Sequence, residues 1–62
     1  MLEDWVLWSA AAMVQRQHGD DAPLFVATRI GALALAGDVE GVENWRAIAA
    51  RLDQLRAPAS KQ

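Results

Sequence analysis

"RIGALALAGDVEG", residues 29–41, decides the fold. After Arg29 the run carries no charge until Asp38, and it holds Gly37 immediately before that aspartate. A glycine there closes a helix in the left-handed conformation, and an aspartate next to it caps the following helix. Gly41 falls within the first turn of that second helix. A helical side chain leans back over the preceding turn, so the indole of Trp45 is expected above position 41. Glycine then makes room, at about 1 kcal/mol of helix propensity relative to alanine. The stretch reads as one helix ending, a tight hairpin, and another helix starting.

Working outward, Gly19-Asp20-Asp21 is a second mark of the same kind, with Pro23 in the first turn after it. Pro58 stops the last periodic segment. These marks predict an all-α, three-helix domain with helices at roughly 2–18, 22–36 and 39–56. Residues 1–57 form the domain and 58–62 a frayed tail. Sustained period-2 alternation is missing and alanine is abundant, both of which favour helix over strand.

The three segments differ in how much apolar surface they carry. In the third, Val42, Trp45, Ile48, Ala49, Leu52 and Leu55 make one stripe, with the charged residues outside it. The second has Arg29 as its only charge; a trough of Ala27, Gly31 and Ala34 lies between a Leu24/Leu35 ridge and a Val26/Ile30/Leu33 ridge. Such a trough admits a close neighbouring helix. In the first, Leu2, Trp5, Val6, Trp8, Ala12 and Met13 are expected to face the core. Leu7, Ala10 and Val14 form a further ridge on another side. Two neighbouring helices do not cover every face of a helix apolar nearly all round. The residues expected at an interface are therefore Leu7, Ala10, Val14, Ile30, Leu33 and Leu35. Gly37, Asp38, Gly41 and Trp45 are expected to be structural.

Composition excludes several classes. Sixty-two residues fold as one domain, burying only ~60% of the surface of the unfolded chain. With no cysteine, disulfides, thiolate metal sites and thiol nucleophiles are ruled out. Eight acidic residues oppose six scattered basic ones, without the clustered positive charge that nucleic acid requires. The acidic Leu2-Glu3-Asp4 start is unlike a secretory signal, and the uncharged runs fall far short of the ~20 residues that span a bilayer. These features predict a soluble cytoplasmic protein that binds neither nucleic acid nor membrane.

Chemistry-bearing residues are few. His18, Asp20 and Asp21 are the weak candidates for a metal site. A histidine at a helix end, followed by glycine and a capping aspartate, is ordinary junction chemistry. Ser9 and His18 lack a third orienting group, Glu40 and Glu43 suit a helix start, and Asp53 with Arg56 reads as an i, i+3 surface pair. Trp5, Trp8 and Trp45 suggest an aromatic cage, but their places on apolar stripes favour the core. No catalytic or cofactor-binding residue, and no cofactor, is expected.

The combination His18-Gly19-Asp20-Asp21-Ala22, Arg29-Ile30, Gly37-Asp38, Gly41, Trp45 and Ile48 resembles a family of small uncharacterised alphaproteobacterial proteins, known only as a domain of unknown function. The resemblance implies no activity and no catalytic residues. A looser likeness of packing holds to the helix junction of tetratricopeptide repeats, without their 34-residue period. The leading expectation is a non-enzymatic interaction module, a homodimer or a subunit docking on another protein. The alternatives are a small-ligand or metal-binding protein and a helix-turn-helix regulator of transcription.

Overall fold

The computed structural model describes residues 2–57, and every regular element among them is helical. Helix α1 spans Asp4–His18, a 3-10 turn covers Gly19–Asp21, α2 spans Ala22–Leu35 and α3 spans Val39–Arg56. The expected tail at 58–62, and the stop at Pro58, lie outside the described residues.

The three expected helices are corrected to two continuous helical runs. Gly19–Asp21 is itself helical, so residues 4–35 carry no break, and the interruption lies at 36–38. Gly19 does take positive φ, 54°, but Asp21 makes no side-chain cap. Three residues of tighter helix absorb the change of direction that a loop would otherwise make.

The second mark behaves as its residues dictate. Gly37 has φ 77°, a conformation that a side chain makes unfavourable. Its N–H donates to the Ala34 carbonyl and the Asp38 N–H to the Leu33 carbonyl, the paired bonds of a Schellman motif. Asp38 then caps α3, its Oδ1 accepting from the Gly41 N–H at 2.9 Å. Gly41 lies directly against the cap of α3. The three atoms nearest to a Cβ added there all belong to the Asp38 carboxylate, the closest at 2.6 Å. A side chain at position 41 would meet the cap first.

The core comprises Leu7, Ala11 and Val14 of α1, Ala22 and Val26 of α2, and Ile48 and Leu52 of α3. Both α1 and α2 pack mainly on α3 and touch each other less. Alanines 11 and 22 are completely buried, which lets the helices come close. On α1 the expected faces are exchanged. Leu7 and Val14 line the core, with Ala10 packed against it, whereas Trp5, Leu2 and Met13 are exposed and Trp8 is half-buried. The stripe expected on α3 is buried at Ile48 and Leu52, while Leu55 at its end is 46% exposed. No helix among the described residues is long and apolar enough to cross a membrane.

Candidate interaction surface

Among the described residues, two arginines of α3 bridge to α1 and its end. Arg51 reaches from α3 to α1, its Nη2 2.6 Å and its Nε 3.2 Å from Asp4 Oδ1, while Nη1 donates to the Ala47 carbonyl. The same guanidinium lies 5.7 Å from the centre of the Trp8 ring. Trp8 is thus the apolar bed of an ion pair at the rim. Arg56 does not pair with Asp53 as expected; it donates to the Gly19 carbonyl and to Gln15 Oε1, both at 2.9 Å.

The second polar and aromatic group surrounds the α1–α2 joint. The His18 ring stacks on Phe25, with centroids 4.0 Å apart and planes 15° from parallel. Phe25 meets Trp45 edge-on at 5.9 Å, and Arg29 stands 5.8 Å from the centre of the indole. His18 is therefore part of a packed aromatic row. Among the described residues no group of three or more His, Cys, Asp or Glu side chains is placed to hold a metal ion, so His18, Asp20 and Asp21 are not drawn together. No ring contact among the described residues joins Trp45 to Trp5 or Trp8, and Trp5 instead donates to Glu3 Oε1 at 3.0 Å.

What remains is apolar surface on α2 and the groove beside it. Leu24 is 67% exposed and Leu35 92%. Ala27, Gly31 and Ala34 also face outward, and a Cβ added at Gly31 meets nothing within 4 Å. The trough expected from the sequence therefore lies open. Ile30 and Leu33 are half-buried, and Ile30 packs against the core. Of the six expected interface residues, Leu35 is the freest; Leu7 and Val14 are used inside the chain.

Between α2 and α3 runs a groove of about 380 Å3, floored by Val26, Ala27, Ile30, Ala49 and Leu52. Ala50 adds to its wall, and Arg46 and Asp53 stand along its α3 side. Sequence reasoning missed these three because alanine and charged residues outside the main stripe read as solvated helix surface. The available signal was their spacing: positions 46, 49, 50 and 53 share one helical face.

No curated protein and no solved structure matches the chain. A family model does match, over residues 3–60, and so covers both helical runs and the groove between them. The chain therefore belongs to DUF6961, a family of unknown function.

Proposed function

We propose that this protein is a non-enzymatic, cytoplasmic interaction module that binds protein through α2 and the groove between α2 and α3. The observation carrying this reading is the exposure of α2: Leu24 and Leu35 stand in water on a helix whose only charge is Arg29. Fully covering such a leucine is worth about 1.5–3 kcal/mol, so leaving two exposed on one small domain favours a partner. Folding α2 back along α3 as a hairpin belongs to the same reading. It is supported by the Schellman bonds at Gly37 and Asp38 and by the groove that residues of both helices line. The use of arginine, histidine and tryptophan side chains in contacts between and within helices supports a binding role over a catalytic one.

The test is site-specific photocrosslinking of the full chain in cells. A crosslinking amino acid is placed at Ala34 or Leu35 and, as a control, at Gln17 on the exposed side of α1. Adducts to protein from the α2 positions and none from the control support the reading. No adducts, or equal adducts from all three positions, refute it.

A further inference from the structure

The side of α3 that borders the groove, from exposed Arg46, Ala50 and Asp53 down to half-buried Ala49, has a symmetry of its own. Arg46, Ala49, Ala50 and Asp53 succeed one another along the groove, with small apolar residues between opposite charges. Arg46 and Asp53 are seven residues apart, about 10.5 Å along the axis, too far to pair within the helix. Neither has an ion pair among the described residues, since the described carboxylate–guanidinium pair is Asp4 with Arg51. The midpoint between 46 and 53 falls between Ala49 and Ala50. A two-fold axis through that point, perpendicular to the helix, sets a second α3 antiparallel to the first. Arg46 of each copy then faces Asp53 of the other, and Ala49 of each faces Ala50 of the other. In a two-fold contact every residue pair occurs twice, which this arrangement satisfies with both charges of each chain.

Resting on the reading above, that this side of the molecule binds protein, we infer that its occupant is a second copy of this chain, docked antiparallel on Arg46, Ala49, Ala50 and Asp53. Alanines at the centre allow the helix axes to approach to about 8–10 Å. At that separation the second α3 rises against the groove wall and covers Ala27 and Ile30 of α2. A stable contact needs about 800 Å2 from each partner, under a fifth of the 4460 Å2 that this chain exposes. Two adjacent helices of 14 and 18 residues, each about 10 Å across, are large enough to provide it. The charges stand at the ends of the contact, where they set register and orientation more than affinity.

The test is sedimentation equilibrium of the full chain from 1 µM to ~500 µM, with helix content of every variant checked by circular dichroism. The wild type is expected to be dimeric in the upper part of this range. Arg46→Asp alone, or Asp53→Arg alone, puts like charges together at both ends of the contact and weakens the dimer about tenfold or more. Mixing the two single variants restores pairing at both ends, so a heterodimer forms at concentrations where each variant alone is monomeric. Ala50→Glu crowds the axis with like charge and also dissociates the dimer. A wild type that stays monomeric throughout overturns the second copy as occupant but leaves the wider reading standing if the α2 crosslinks capture another protein. A dimer indifferent to all three substitutions overturns the α3 contact while leaving self-association in place.

Discussion

The Arg56 guanidinium donates a 2.9 Å hydrogen bond to the carbonyl of Gly19, joining the last turn of α3 to the glycine that ends α1. Gly19 is a point where the backbone takes positive φ, and its carbonyl also accepts the Ala22 N–H that closes the 3-10 turn. A charged donor from a distant helix adds a second bond to the same oxygen. Arg56→Gln should lower stability by about 0.5–1 kcal/mol, since the bond is exposed. That corresponds to about 2–8 °C in Tm for a domain of this size, measurable by calorimetry at fixed protein concentration.

The exchanged faces of α1 make a sharper prediction. Leu7 is 4% exposed and Trp5 66%, although tryptophan is the larger side chain. Leu7→Ala should cost about 2–4 kcal/mol, a large part of the roughly 3–9 kcal/mol that per-residue norms assign to a chain of this length. Trp5→Ala should change stability by less than about 1 kcal/mol. Urea titrations of the two variants side by side decide the matter. A larger loss at Trp5 would return the tryptophan face to the core.

Glycines 31 and 37 should respond to alanine with opposite signs. A Cβ at Gly31 meets open space in a regular helix, so Gly31→Ala gains about 0.8–1 kcal/mol of propensity. Gly37 holds φ 77°, and Gly37→Ala should lose about 1–2 kcal/mol through left-handed strain. Thermal melts of both variants provide the comparison.

Gly41 and Asp38 should be energetically coupled. Gly41→Ala adds about 1 kcal/mol of propensity but drives a Cβ into the capping carboxylate, whose loss costs about the same. Little net change is expected in the wild type. In an Asp38→Ala background, where there is no cap to displace, the same substitution should stabilise by about 1 kcal/mol. A double-mutant cycle by denaturant unfolding isolates the coupling.

Much of this architecture was legible in the sequence, and the failures have physical causes. Gly37 and Asp38 identified themselves because positive φ and helix capping each suit few residue types. Ile48 and Leu52 were readable because charged residues bound their stripe on both sides. On α1 two apolar faces compete, and side-chain size pointed to the wrong one. The buried face turns on Ala11, whose smallness permits close packing on α3, while Trp8 finds its environment under Arg51, a contact made across 42 intervening residues. The Gly19 joint was mistaken for a loop because the Arg56 bond that supports it comes from the far end of α3. The groove face at Arg46 and Asp53 was passed over because a solvated surface and a docking surface differ little in composition when the docking residues are alanine and charge.

The dependence of both other helices on α3 also dictates an order of events as the chain is made. When residues 4–35 have been synthesised, Leu7, Val14 and Val26 exist but the residues that cover them, Ile48 and Leu52, do not. The first half has little to bury, and a nascent helix without tertiary contacts is only marginally stable in water. Productive collapse waits until α3 emerges from the ribosome. The core residues of both helical runs are therefore committed together, in a single step that α3 triggers.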